Sequence, residues 1–280
     1  MQPDIYDFFP AAPQVSAFVR RYLYADSTTF VDAGMTPAPT GCCYMGHIFR
    51  GAAWCIIDGE EGHSRSGFHI SCQVDQREFE VRYRGQLGHI MAELTPTALY
   101  RLFGVPAASI RHLAVDWSDA LGKELAQTLI ASVKNTDSRE ERTAAFDAMF
   151  ENISQSSSKP VAHIDDAVQI IEAEEGRISV AELCDRLSVG ERTLSRQFHK
   201  IVGISPKSFA RSIQLNTVIG KLLAQDEKAL TELAHECGYY DQSHFIKTMQ
   251  QFFEQGPREF LQGDNHMFHV FIGNTRKSVN

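Results

Sequence analysis

Apolar residues recur with two different periods along this chain, and the change falls before its middle. Up to about residue 115 the apolar positions form short β-like runs, GCCYMGHIFRG, AAWCIIDG, GFHISCQVD and EFEVRYRGQLGHIMAEL, broken by Gly, Asp and Glu-Gly turns. In FEVRYRG apolar and polar residues alternate, as on a strand with one face buried. From Asp119 the spacing turns helical, through DALGKELAQTLIASVKN and then SREERTAAFDAMFENI. The stretch Ser154-Gln155-Ser156-Ser157-Ser158-Lys159-Pro160 has no apolar residue, and its proline resists continuing a helix. This pattern predicts an α+β chain in four parts. A β-rich region and its helices span 1–153, a linker spans 154–162, consecutive short helices span 163–262, and a tail without pattern spans 263–280.

The third part nearly repeats itself. LSVGERTLSRQFHKIVGISPKSF (187–209) lies over GYYDQSHFIKTMQQFFEQGPREF (238–260) at an offset of 51, and AELCDRL (181–187) lies over TELAHEC (231–237) at an offset of 50. Each copy reads as a short helix, a turn and a longer helix. In ECGYYDQSHF, Gly238 suits the left-handed position that closes a helix, and Asp241 can accept from the free amides opening the next. Ser179 and Glu182 make a capping box, while Ser205-Pro206 and Gly256-Pro257 put proline at the first turn of the helix after each copy. Leu194, Phe198, Ile201 and Val202 form one stripe of the first longer helix, matched in the second by Phe245, Met249, Phe252 and Phe253. That stripe is core. The opposite stripe holds Arg192, Ser195, Arg196 and His199 in the first copy and Ser243, Ile246, Lys247 and Gln250 in the second. Such side chains can donate to base edges, or touch a thymine methyl in the case of Ile246.

Charge sharpens this. The 280 residues carry a formal net charge of −8, which argues against wholesale coating of nucleic acid and confines any DNA contact to a local face. Between Arg192 and Gln225 stand six basic residues and no acid, whereas 165–191 holds eight acids. The six cysteines contain no C-x-x-C pair, which argues against a zinc ribbon or a thioredoxin-like motif and predicts reduced, mostly buried thiols. The first residues, MQPDIYDFFPAAPQ, carry acids where a secretory signal needs bases. No uninterrupted apolar run approaches the ~18 residues of a membrane helix, so the expected location is the cytoplasm, with no membrane partner.

The run SVAELCDRLSVGERTLSRQFHKIVGISPKSFAR, followed by ALTELAHECGYYDQSHFIKTMQQFFEQGPREF, resembles the C-terminal DNA-binding domain of the AraC/XylS family of transcription regulators over about a hundred residues. The resemblance implies two helix-turn-helix units joined by a long helix, here 206–224, whose recognition helices enter successive major-groove segments of double-stranded DNA. It implies base-reading residues at Arg192, Ser195 and Arg196 in the first unit, and at Gln242, Ser243 and Lys247, with His244, in the second. The sequence departs from the family pattern at Gly190, Gln214, Gly220 and Glu254. With Lys247 the only base on its outward stripe, the second unit reads as the weaker binder.

The same resemblance implies a β-rich, cupin-like effector domain before the reader, with helices that dimerise or couple the two. It also implies an activator that meets RNA polymerase, controlled by a small molecule and not an enzyme. No cofactor and no metal is expected. DGEEGHSRSGFH offers Glu60, Glu61, His63 and His69, but the paired H-x-H of a cupin metal box is absent. His47, Trp54, Phe68, Tyr83 and His89 read as strand residues that fill a core. The segment 119–134, with Leu121, Leu125, Leu129 and Ile130, suits either pairing with a second copy or packing on its own domain. Two alternatives stay open: the same reader controlled by a protein partner, and a metal-dependent cupin enzyme joined to a DNA reader.

Overall fold

The structure, a computed structural model, describes residues 6–35, 40–57, 60–72, 79–110, 114–156, 159–161, 163–223, 230–253 and 255–262. Among these residues six strands form one antiparallel sheet: β1 (Asp7–Pro10), β2 (Val19–Met35), β3 (Tyr44–Ile57), β4 (Glu60–Ser71), β5 (Phe79–Leu94) and β6 (Ala114–Asp116), in the order β1-β2-β5-β3-β4-β6. Two of the predicted runs are a single strand. Gly51, at φ 76°, sits where the β3 register slips between Arg50 and Ala53, so it bends β3 and does not end it. A further strand, β2, lies where the pattern predicts none, because its polar stretch Asp26-Ser27-Thr28-Thr29 spans an irregularity between Ser27 and Val31. The region also holds α1 (Ala98–Phe103) and a 3-10 turn at Ala107–Ile110.

The helical period after residue 116 gives α2 (Trp117–Leu121), α3 (Lys123–Val133) and α4 (Arg139–Ser156). They cover one sheet face, where Trp117, Phe146 and Phe150 are fully buried with Tyr22, Met45, Ile70 and Ile90. Each such aromatic contributes on the order of 2–3 kcal/mol by leaving water. Trp117 Nε1 donates to the His69 carbonyl at 2.9 Å and Tyr22 Oη to Asp147 at 2.7 Å, so the polar ends of the buried rings are satisfied. On α3 the inward stripe is Ala126, Leu129 and Val133, against its own domain, while Leu125 stays 39% exposed.

The opposite sheet face buries Tyr6, Leu23, Ile48, Tyr83, Leu87 and Met91. It also holds a polar chain: Tyr6 Oη donates to Tyr83 Oη at 3.0 Å and lies 2.6 Å from His89 Nδ1. The tautomer of His89 sets which of the two donates across that contact. The His89 Nε2 is buried with no hydrogen-bond partner among the described residues. The His69 and His89 rings are 5.0 Å apart, and His47 stacks on Phe68 at 3.8 Å. Glu60, Glu61 and His63 belong to β4, but their side chains lie outside the described residues, and no metal-binding group of three appears among those described.

Two expectations need correction. Helix α4 runs to Ser156, three residues into the predicted linker, because Ser154 and Ser156 return their hydroxyls to carbonyls one turn back and so continue the helix. The thiols are not all reduced: Cys43 and Cys72 are joined, since the β3–β4 register that pairs Tyr44 with Ser71 brings them face to face. Cys42, Cys55, Cys184 and Cys237 are free.

Among the described residues seven helices follow: α5 (Ile164–Ala173), α6 (Val180–Leu187), α7 (Glu191–Val202), α8 (Pro206–Leu223), α9 (Leu230–Glu236), α10 (Gln242–Phe253) and α11 (Pro257–Gln262). They bury two clusters, one drawn from 161–210 and one from 215–260. Because these clusters are nearly complete without the β-rich region, residues 159–280 are expected to fold alone, with the far-ultraviolet circular dichroism of a helical protein. A disordered spectrum would mean that Tyr100, which packs on the first cluster, is indispensable.

Candidate nucleic-acid interface

The two longer helices of the repeat, α7 and α10, begin and end 51 residues apart, as do Pro206 of α8 and Pro257 of α11. The duplicated sequence therefore folds twice into the same unit. Helix α8 joins the copies and belongs to both cores. Phe209 and Ala210 lie in the first, Leu215, Val218 and Ile219 in the second. An 18-residue helix is about 27 Å long, and one packed into both units fixes their relative placement. Gly220 costs that helix about 1 kcal/mol relative to alanine, too little to break it.

The caps follow the sequence. The Glu182 amide donates to Ser179 Oγ at 3.1 Å, the Ser208 amide to Ser205 Oγ at 3.0 Å and the His244 amide to Asp241 Oδ1 at 2.7 Å. Gly190 opens α7 with no side-chain cap. Gly238 is left-handed at φ 81°, and a Cβ there would stand 2.9 Å from Arg177 Cγ. In the first copy the residue that closes α6 is Ser188, also left-handed at φ 51°. Gln214, at a departure from the family pattern, donates to the Cys237 carbonyl at 2.8 Å and so fastens the second turn to α8. Gly238→Ala is expected to lower stability by about 1–2 kcal/mol from backbone strain, and more from crowding against Arg177. Urea denaturation would check this, and an unchanged midpoint would count against the account of the turn.

Of the predicted base readers in α7, Arg192 and Arg196 are exposed and Ser195 is half-buried; Leu194, Phe198, Ile201 and Val202 are buried on the other side. In α10, Ser243, His244 and Lys247 are exposed and Gln242 is half-buried, while Phe245 and Met249 are buried. Phe252 and Phe253 only flank their core. The outward stripes thus survive folding. Folding ties up part of the basic segment: Arg211 donates to Gln251 Oε1 at 2.9 Å and Lys221 pairs with Glu175 at 3.4 Å. Lys200 lies over the Tyr100 ring, 5.2 Å from its centre. Arg192, Arg196 and Lys207 are the more available cations. Tyr240, 84% exposed immediately before the Asp241 cap, was missed by sequence reasoning. Its signal was an aromatic residue outside the apolar stripe.

A helix-turn-helix domain family model matches residues 183–263, the span that contains both outward stripes. These residues are an AraC-type helix-turn-helix domain. Over 81 residues the AraC-type domain is 30% identical to the HTH-type transcriptional activator RhaS of Citrobacter koseri, a stretch that is 29% of each chain. The match therefore spans less than a third of that relative's length. Among solved structures, ToxT from Vibrio cholerae O395 bound to (E)-4-(8-methylnaphthalen-1-yl)but-3-enoic acid aligns over 86% of this chain and 98% of its own, at 12% identity and a TM-score of 0.49. A transcriptional regulator from Chromobacterium violaceum aligns over 35% of this chain and 87% of its own, at 28% identity and a TM-score of 0.32. No described helix is long and apolar enough to cross a membrane.

Proposed function

We propose that the chain is a sequence-specific regulator of transcription, an activator and not an enzyme, that binds double-stranded DNA through α7 and α10 and meets RNA polymerase there. The carrying observation is the pair of outward stripes on two copies of one fold unit, held by a shared helix. We place the boundary between the regulatory and reading parts within 154–162, and the protein in the cytoplasm. A small-molecule effector bound by the β-rich region controls it. What supports this is the buried His89 Nε2 on the sheet face lined by Tyr6, Tyr83 and Met91, a polar atom costly to leave unpaired and suited to a ligand that hydrogen-bonds to it. A homodimer through the exposed Leu125 of α3 belongs to the same reading.

The test is recovery of bound genomic fragments by the full chain, followed by transcription with RNA polymerase from the recovered promoters. Transcript rising with added protein supports an activator. Fragments without a shared site, or transcript that falls, contradict it.

A further inference from the structure

We propose that Cys43 and Cys72 form a reversible dithiol–disulfide switch that sets how firmly the β-rich region holds the first helix-turn-helix unit. Its output rests on the DNA-binding reading above.

The two residues face each other across β3 and β4, one step beyond the Tyr44–Ser71 pair, with Cα atoms 4.1 Å apart. On the other flank, the Leu94 amide donates to the Cys43 carbonyl at 2.8 Å, so Cys43 sits between β4 and β5 at their ends. Both ways out of this point lead to the reader. Just before it, Gly41 is so close under Phe209 of α8 that a Cβ would fall 2.3 Å from the ring. Cys42 lies within electrostatic reach of Arg20, whose guanidinium pairs with Glu172 of α5. Beyond Leu94, Thr97 donates to Asp165, Arg101 pairs with Asp165 at 3.4 Å and its carbonyl accepts from the Lys159 amide at 2.9 Å. Tyr100 receives Lys200 of α7 on its ring, and the 3-10 turn at 107–110 packs against the same helix. The bond therefore pins the strand ends on which this seam is built.

A DNA-binding regulator works in a reducing compartment, where a disulfide is characteristically transient and redox-sensing. The oxidant is a low-molecular-weight disulfide, RSSR. Cys72, the less buried of the pair, loses its proton and attacks RSSR, releasing one RS⁻. Cys43, as thiolate, then attacks the Cys72 sulfur and expels the second RS⁻; the two protons from the cysteines end on the two RSH. Cys42 does not compete, because the β3–β4 register sets Cys43 and not Cys42 opposite Cys72, and Cys42 is free. In the oxidised chain the seam stays closed and Lys200 stays on Tyr100. Reduction removes the cross-link, the seam opens more often, and Lys200 becomes available to a phosphate.

The test compares the full chain treated with glutathione disulfide and with dithiothreitol. Thiols are counted by alkylation and mass, amide exchange is followed at Lys159 and across 98–110, and affinity is measured for a duplex selected from random-sequence DNA by the reduced chain. Expected are a Cys43–Cys72 bridge after oxidation, faster seam exchange after reduction, and about fivefold tighter DNA binding by the reduced form. Cys43→Ser and Cys72→Ser should each behave as the reduced chain in either buffer, and Cys42→Ser should keep the response. The proposal is overturned if no bridge forms, if seam exchange is the same in both states, or if the oxidised chain binds DNA equally or more tightly. If neither state binds DNA, the DNA-binding reading falls, and seam exchange alone decides the switch.

Discussion

Replacing Arg192 and Arg196 together by alanine is expected to cost about 2–6 kcal/mol in binding to a specific duplex, taking 1–3 kcal/mol for each bidentate contact to a guanine. Both side chains are exposed on α7 and neither contributes to its buried stripe, so the fold should be unaffected within about 0.5 kcal/mol. Lys247→Ala should cost less, because α10 offers a single cation flanked by Asp241 and otherwise polar or apolar groups. Each phosphate neutralised contributes ~0.9 to the slope of log K against log salt, so arginines that read bases should leave that slope nearly unchanged when replaced, and a flattened slope would mark them as phosphate contacts. Titrations from about 50 to about 200 mM salt would separate the two. Equal losses on cognate and scrambled DNA would make the arginines phosphate contacts and not readers.

The β-rich region should lose stability as acid is added, well before its carboxylates titrate. Burial holds the folded imidazoles of His47 and His69 down at about 4, with the Arg142 charge adding to the effect at His47, and burial holds His89 well below the usual histidine range. In the unfolded chain each titrates near 6.5. The unfolded state thus binds more protons between these values, and stability rises with pH across the window. The contribution is complete above about pH 6.5 and drains away as pH falls toward about 4. For the buried His69 it amounts to roughly 3 kcal/mol, and for the half-buried His47 to less because water screens it. Melting curves between about pH 7.5 and about pH 4.5 should show Tm falling, with His69→Gln flattening the dependence. A Tm that ignores pH over that range would refute the neutral, buried imidazoles.

The reader was legible in the sequence because its determinants are local. Capping residues, a helical stripe and a 51-residue repeat specify each unit within some forty positions, and the contacts of Ser179, Ser205 and Asp241 carry them out. The β-rich region was legible only as a class. Strand β2 hid behind its polar stretch, and Gly51 looked like a turn because local sequence cannot show that a neighbouring strand continues past a bulge. The Arg21–Glu93 ion pair, 2.8 Å and buried, joins residues 72 positions apart, as the Cys43–Cys72 bond joins residues 29 apart. Such pairs depend on register, which periodicity does not fix. Within the candidate interface, exposure of the outward stripe was readable from spacing. The attachment of Lys200 to Tyr100, of Arg211 to Gln251 and of Lys221 to Glu175 was not, since each partner comes from another element.

Selection of the full chain on random-sequence duplex DNA, followed by sequencing of the bound pool, tests the central claim most directly. Two readers fixed by one shared helix should enrich a site with two conserved segments about 10–10.5 base pairs apart, centre to centre, on one face of the duplex. The segment lost on Arg192→Ala with Arg196→Ala should be the sharper one, and the segment altered by Lys247→Ala the looser. A pool with no shared segment, or with a single segment insensitive to the arginines, would contradict sequence-specific reading by the two copies.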